Sequence, residues 1–444
     1  MEPYWDNGNC QLYQSDARSI PLADQSVHCV VTSPPYFGLR IYADNDDRGI
    51  GLESTVEDYI GNLVDVFREV RRVLRDDGVA WLNLGDSYAG SGKGQHADGT
   101  HASRHGEKQH TSQGTLSGGL STDYDLDAGN RLGIPDRVVL ALQADGWIWR
   151  DTIIWAKKSP MPESLAGWRW ERCRVKVGAL ADRTHETNHR DYSIHLSDTP
   201  SNEWADCPGC PKCEDNDGLV LRRGSWRTTQ AHEYIFMLTK GMGYYADGEA
   251  VKTAAAAVSI ERMNYGFTTN ERPGKQDVHV DKMGDRWLTN GGANRRSVWN
   301  DISPEPYGGP HFATFPSDLP RICIQASTSE RGVCAECGSQ WARVVNHSIS
   351  GRIDSNIPKD GGVDMGIWSG RTGESSNITL GWRPTCNHDA PAIPATVLAP
   401  FSGTGTTCRA AQKLGRRAVG VDISESYLEQ AVRRLSTVTL PLGI

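Results

Sequence analysis

Val27-His28-Cys29-Val30-Val31-Thr32-Ser33-Pro34-Pro35-Tyr36 joins an apolar, β-branched run to a proline-stiffened turn. The run reads as a buried strand, and the two prolines stop it in a rigid turn that presents one hydroxyl, two prolyl carbonyls and one aromatic ring at a single point. Such a group suits a planar amine. The exocyclic amino group of cytosine or adenine is a poor nucleophile, because its lone pair is delocalised into the ring. A site that alkylates it must accept the amino hydrogens in a geometry that frees the lone pair, and must hold the ring by stacking. Ser33 and the Pro34 carbonyl are suited to the first task and Tyr36 to the second.

A second motif stands near the C-terminus. Ala395-Thr396-Val397-Leu398-Ala399-Pro400-Phe401-Ser402-Gly403-Thr404-Gly405-Thr406-Thr407 is followed by Ala410-Ala411 and then by Arg417-Ala418-Val419-Gly420-Val421-Asp422. A strand, a Gly-x-Gly turn, a helix and a second strand ending in an acid make a nucleoside-binding βαβ unit. Its turn and helix start hold one end of the ligand, and the acid reaches ribose hydroxyls.

With both motifs in one chain, the sequence resembles the DNA amino-methyltransferases that use S-adenosylmethionine. The motif order, catalytic turn first and cofactor loop last, resembles the permuted beta group of that family. The resemblance implies an α/β fold: a Rossmann-like methyltransferase sheet with circularly permuted motif order. After Asp422 the helical pattern Tyr427, Leu428, Ala431, Val432 and Leu435 ends the sheet-forming chain, and the next strand is expected from Gln11-Leu12-Tyr13-Gln14-Ser15-Asp16. Double-stranded DNA is the implied partner, with a cognate restriction endonuclease as a candidate second one.

The resemblance assigns catalysis to Ser33, Pro34, Pro35 and Tyr36, and cofactor binding to Thr32, Phe401, Ser402, Gly403, Gly405, Thr406 and Asp422. Asp16 is expected at its strand end beside the cofactor's adenine, with a turn-opening role as the plainer reading. His311-Phe312-Ala313-Thr314-Phe315-Pro316 and the helix-like Asp318 to Gln325 resemble the segment packed on the methionine end, which adds Phe315 and Pro316. Lys157-Lys158-Ser159-Pro160-Met161-Pro162-Glu163-Ser164 resembles the stretch lining the target-base pocket. One departure stands out: Ala399 occupies the position before Pro400-Phe401 where the family commonly has aspartate. Serine at the head of the tetrapeptide favours cytosine N4, and adenine N6 is the alternative. An RNA or protein-amide methyltransferase, or a zinc-containing DNA-binding protein with a degenerate cofactor site, are the remaining readings.

A chain of 444 residues implies two or three units. There is no apolar run long enough to span a membrane, and Met1 to Asp6 lacks the features of a signal peptide, so a cytoplasmic location is expected. The formal charge of −8 opposes approach to phosphate, so DNA binding must rest on local basic patches. Three are visible: Arg169, Arg172, Arg174 and Lys176 among Trp168 and Trp170; Arg222, Arg223 and Arg227 around Trp226; and Arg295-Arg296.

Composition and pattern divide the chain further. Residues 1–88 read as the catalytic half of the core, with a helix from Val56 to Leu74 closed by Asp76-Asp77-Gly78 and a strand from Val79 to Leu84. Residues 89–130 are Gly-, Ser- and His-rich and read as a mobile loop, whose histidines 96, 101, 105 and 110 are expected to be solvated. Residues 131–165 and 226–250 complete the core, with a helix from Pro135 to about Asp145 and β-runs Trp147 to Ala156 and His232 to Thr239. Residues 166–225 form a first insert and 251–310 a candidate target-recognition region without clear sheet logic. Residues 311–333 pack on the cofactor, 334–390 form a second insert, and 391–444 complete the cofactor half.

Eleven cysteines in such a chain point to metal rather than disulfides. Cys207-Pro208-Gly209-Cys210-Pro211-Lys212-Cys213 sets three thiols on two tight turns, and Cys173 is the expected fourth ligand, with His185, His189 and His195 as competitors. Cys334-Ala335-Glu336-Cys337-Gly338 reads as a zinc knuckle, answered by Cys386-Asn387-His388 across a Gly- and Ser-rich interval, Ile353 to Ile378, expected to be a long loop. Two closed, structural zinc sites are therefore expected, each stapling one insert. Cys10, Cys29, Cys323 and Cys408 read as packed hydrophobes.

Overall fold

The computed structural model describes residues 1–38, 49–89, 126–127, 129–160, 163, 166–177, 203–253, 293–305, 315–350 and 374–439. The histidines of the 89–130 segment, His185, His189, His195, most of the 251–310 region, residues 311–314 and residues 353–373 of the 353–378 interval lie outside them. The chain forms two compact units, Met1–Lys158 with His232–Ile444, and Ser159–Ala231.

In chain order the first unit begins with β1 (Trp5–Asp6), β2 (Cys10–Gln14), β3 (Val27–Thr32), α1 (Val56–Val73), β4 (Leu74–Leu84), α2 (Ile134–Ala144) and β5 (Ile148–Ala156). The second unit holds β6 (Trp168–Arg172), β7 (Arg174–Val177), β8 (Glu203–Asp206) and β9 (Leu219–Arg223). The first unit resumes with β10 (His232–Thr239), β11 (Val298–Trp299), α3 (Asp318–Ser327), β12 (Val333–Cys334), β13 (Trp341–Ser350) and β14 (Glu374–Pro384). It closes with β15 (Ala392–Ile393), β16 (Thr396–Ala399), α4 (Thr406–Lys413), β17 (Arg417–Asp422) and α5 (Glu425–Leu435).

Nine strands make one mixed sheet in the order β1-β2-β17-β16-β3-β4-β10-β5-β11. The run from β2 to β4 is parallel, and β10 lies antiparallel between β4 and β5. Strand β3 is buried along its whole length, as a central parallel strand must be when helices cover both faces. On one face α1 buries Tyr59, Leu63, Val66, Phe67, Val70 and Val73, the spacing of one helical stripe, with Val138, Val139 and Leu142 of α2 in the same core. On the other, α3, α4 and α5 bury Leu319, Ile322, Ala411, Leu428 and Leu435.

Three expectations change. Asp76-Asp77-Gly78 does not separate helix from strand: α1 ends at Val73 and β4 starts at Leu74, paired with Val27, and the ladder resumes only at Cys29 opposite Val79. The intervening bulge, with His28 across from it, carries contacts described below. The 251–310 region supplies an edge strand, β11, parallel to β5. The 353–378 interval is not wholly loop, because β14 begins at Glu374 and pairs with β13. The backbone can stay paired there because it alternates as a two-stranded ribbon whose polar groups satisfy one another.

Candidate active site and metal centres

The two functional motifs end on neighbouring strands. Leu398 of β16 pairs with Val30 of β3, so Pro400 and Thr32 each stand two residues past that pairing, at the carboxyl edge of the sheet. Ligands of open α/β sheets bind at that edge, where helix starts and loops leave backbone groups unpaired. β2 lies parallel to β17 on the other side, Gln14 opposite Asp422, which brings the chain's second strand beside its last one.

The Thr32 to Tyr36 turn is fitted by two glycines. A Cβ on Gly85 would lie 2.7 Å from Tyr36 Cε2, and one on Gly51 3.2 Å from both the Pro35 Cβ and the Tyr36 carbonyl. Gly51 also accepts the Gly38 N–H at 2.8 Å, and the Tyr59 hydroxyl donates to the Pro35 carbonyl at 2.8 Å. Pro34 is buried, whereas Ser33 and Tyr36 are partly exposed, so the hydroxyl and the ring remain reachable.

The Ser402 to Gly405 loop closes on its own acid. Asp422 Oδ2 accepts the Gly403 N–H at 2.7 Å and Oδ1 accepts the Ser424 N–H at 3.0 Å. Ser402 donates its N–H to the Val421 carbonyl, and Gly405 caps α4 with φ of 78°, a left-handed conformation that glycine adopts without strain. Gly420 makes the approach possible: a Cβ there would meet Leu12 at 2.7 Å, Ser402 at 2.9 Å and Cys408 at 3.1 Å.

Other predicted contacts are placed less simply. Asp16 stands at the end of β2, but its carboxylate is engaged by Arg18, with Oδ2 accepting Nη2 at 2.7 Å. The Thr406 hydroxyl accepts from Arg434 at 3.2 Å, while Phe401 packs on the core face shared with α1 and Phe315 on the opposite face; Pro316 is buried just before α3. Ala399 is buried and pairs with Gly420. Four buried hydroxyls have no hydrogen-bond partner among the described residues, those of Thr32, Thr239, Ser329 and Ser402. Buried orphan hydroxyls are costly, and two of the four, Thr32 and Ser402, belong to the residues expected to hold the cofactor.

The cysteines converge as their spacing predicts. The ligand atoms of Cys173, Cys207, Cys210 and Cys213 all lie within 4.8 Å of one another, as do those of Cys334, Cys337, Cys386 and His388. Sulfur separations of 3.8 Å (Cys173 to Cys210) and 3.6 Å (Cys210 to Cys213) match the roughly 3.8 Å edge of a tetrahedron with Zn–S bonds of about 2.3 Å. Cys334 Sγ and His388 Nδ1 are 3.9 Å apart. The Ser339 hydroxyl, 3.2 Å from the Cys337 sulfur, and the Ser339 N–H hold that thiol low, at about 6, in the ionised form a metal needs.

One participant, Glu233, carried no signal in sequence. Tyr36 donates its hydroxyl to Glu233 Oε2 at 2.8 Å, and Lys157 pairs with the other oxygen of that carboxylate. Glu233 hides in a strand that otherwise reads as an apolar hairpin partner. Arg295, expected on a DNA-facing patch, is instead folded over the Trp299 ring, 4.8 Å from its centroid, and paired with Asp301. Arg227 pairs with Glu163, and Arg169 and Arg222 share Glu171.

Taken together, the sheet order and its flanking helices define a methyltransferase-like mixed α/β fold, and among the described residues no helix is long and apolar enough to cross a membrane. The N6/N4 DNA methylase family model matches residues 27–337 and 394–433, and the chain belongs to that family of amino-methyltransferases. It is 29% identical over 430 residues to the Type II methyltransferase M.SmaI of Serratia marcescens, covering 96% of this chain and 91% of that one. To M.Cfr9I of Citrobacter freundii it is 32% identical, covering 74% and 75%. The solved PvuII DNA methyltransferase, described as cytosine-N4-specific, is similar at 11% identity and a TM-score of 0.45, covering 100% of this chain and 90% of that one.

Proposed function

We propose that this protein transfers a methyl group from S-adenosylmethionine to the exocyclic N4 amine of cytosine in double-stranded DNA. The observation that carries the reading is the meeting of the Ser33 to Tyr36 turn and the Asp422-closed loop on adjacent strand ends, with the orphaned Thr32 and Ser402 hydroxyls between strand and loop. When bound, S-adenosylmethionine supplies an electrophilic methyl on a sulfonium. Asp422 would take its ribose hydroxyls, and Ser402, Gly403 and Thr32 would hydrogen-bond around it. The target base must leave the duplex to reach the turn. It stacks on Tyr36 while Ser33 Oγ and the Pro34 carbonyl accept its amino hydrogens. The amine so held would accept the methyl group that the cofactor supplies, the methyl–sulfur bond breaking as the N–C bond forms, and its spare proton would pass by way of Ser33 Oγ to solvent. No cysteine nucleophile is needed, because the attacking atom lies outside the ring.

The preference for cytosine rests on serine at the head of the tetrapeptide; adenine N6 is the alternative. The motif order supports the permuted arrangement, and the adjacency of β2 and β17 agrees with it. We assign structural zinc to both clusters, and DNA contact to the 159–231 unit, whose Trp168, Trp170 and Trp226 are exposed beside arginines. The family suggests a cytoplasmic enzyme with a partner endonuclease. The deciding experiment is to treat plasmid DNA with protein and cofactor, digest it to nucleosides and weigh them. N4-methylcytosine is expected; N6-methyladenine would replace the base assignment, and unmodified DNA would end the reading. Tyr36→Ala should remove most of this product while cofactor affinity stays near normal.

A further inference from the structure

Tyr36 is held at three points. Its hydroxyl donates to Glu233 Oε2 at 2.8 Å, Asn83 Oδ1 stands 3.4 Å from the same hydroxyl, and its ring edge rests where Gly85 leaves no room for a side chain. Glu233 is in turn fixed. It is 8% exposed, and its Oε1 pairs with Lys157, whose ammonium lies 5.4 Å from the centroid of the Trp155 ring. Asn83 is fixed as well, through donation to the Tyr234 carbonyl at 3.1 Å. A chain of buried or half-buried polar groups therefore runs from β5 and β10 to the catalytic turn.

Such a chain is costly unless it specifies something. A carboxylate in an otherwise apolar strand gives up hydration, and hairpin pairing alone, Glu233 opposite Trp155, does not need it. What the carboxylate adds is the bond to the Tyr36 hydroxyl. We propose that the Glu233–Lys157 pair sets the tilt and the electron density of the Tyr36 ring, which makes Glu233 a positioning residue for the base. This rests on the reading of Tyr36 as the stacking platform. Two physical effects follow. The ring can neither rotate about its Cβ–Cγ bond nor lean away, so a stacked base keeps its amine in line with the methyl group. As the lone pair attacks, positive charge moves onto the base, and a ring whose hydroxyl is bonded to an anion presents a more negative face to it.

The effect should lie in the chemical step. With plasmid DNA and radiolabelled S-adenosylmethionine, Tyr36→Phe and Glu233→Ala are each expected to lower kcat about tenfold, with KM for DNA and cofactor affinity within about twofold. Because both remove one bond, the double variant should be no slower than either single one. Glu233→Gln keeps an oxygen for the Tyr36 hydroxyl but not the negative charge, so it should recover only part of the rate, the share that ring tilt supplies. Full kcat in Tyr36→Phe, or losses that multiply in the double variant, would overturn the proposal. If Glu233→Ala does not fold, Tyr36→Phe decides alone, since it leaves the ion pair intact. Failure of the wider reading is distinct: wild-type protein would then give no methylated nucleoside at all.

Discussion

The two cysteine clusters bring together ligand sets of the same size, yet they are attached to different things. Cys173, Cys210 and Cys213 are themselves the buried cluster of the 159–231 unit, with Cys207 and Val220 packed against them. Among the described residues of that unit the only buried hydrophobic side chain besides these cysteines is Val175, so a metal held by the four thiols would supply much of its folding free energy. Cys334, Cys337, Cys386 and His388 belong instead to the sheet unit. Next to Cys337, the Gly338 carbonyl accepts from His28 Nε2 of β3 at 3.0 Å, while His28 Nδ1 accepts the Thr396 N–H of β16 at 3.1 Å. Arg75 in the β4 bulge donates to the Cys337 carbonyl at 3.0 Å and pairs with Asp77. The attached ribbon is tied down further, Arg343 to Asp247 at 2.9 Å and Asn377 to Glu249 at 2.8 Å. One cluster builds a module, whereas the other bolts together the strands that lead to both functional motifs.

This contrast can be broken most directly at Cys334. Purified protein should carry about two zinc ions per chain by elemental analysis, and Cys334→Ser should remove one and destabilise the sheet unit by at least ~3 kcal/mol in urea unfolding. Cofactor affinity should fall with it. A variant that keeps the wild-type midpoint would show that the knuckle is an ornament of the sheet.

Next in size comes the His28 bridge, which predicts a pH dependence. Burial, and after it the Arg75 guanidinium, holds His28 at about 4, below its ordinary 6.5. The unfolded chain therefore takes up the proton first. Stability from this source is full above pH 6.5 and is lost as pH falls toward 4, by at most about 3 kcal/mol. Urea midpoints measured across that window that do not fall with pH would contradict the buried neutral bridge.

A smaller effect separates stability from binding within the sheet unit. Asp422→Ala should weaken S-adenosylmethionine by at least ~1 kcal/mol, measured by calorimetry, through loss of charged hydrogen bonds. Its zinc content should stay at two. Unchanged affinity would move the ribose contact elsewhere.

Cys210→Ser should disturb the sheet unit least, by under ~0.5 kcal/mol, because the cluster it breaks is the centre of its own unit. Cofactor affinity should hold while DNA affinity drops about tenfold, as the exposed tryptophans and arginines lose their scaffold. Cofactor binding lost as badly as DNA binding would refute the division of labour.

What the chain discloses by itself is local chemistry in register with a period. The strand and turn of Val27 to Tyr36, the Gly-x-Gly loop, the helical stripes of α1 and α5, and both cysteine sets could be read because each is decided by neighbours a few residues away or by a ligand type that stands out in composition. The paired runs that became β5 and β10 were legible for the same reason. Tertiary structure alone decided the rest. Glu233 meets Tyr36 across 197 residues and Gly338 meets His28 across 310, separations at which no periodicity carries information. The same holds for the glycines at 85 and 420, whose need for a missing side chain arises only when another segment arrives. Arg295 makes the point in reverse: beside Arg296 it reads as a phosphate clamp, and folding turns it inward, where the Trp299 ring and the Asp301 carboxylate of its own chain engage it.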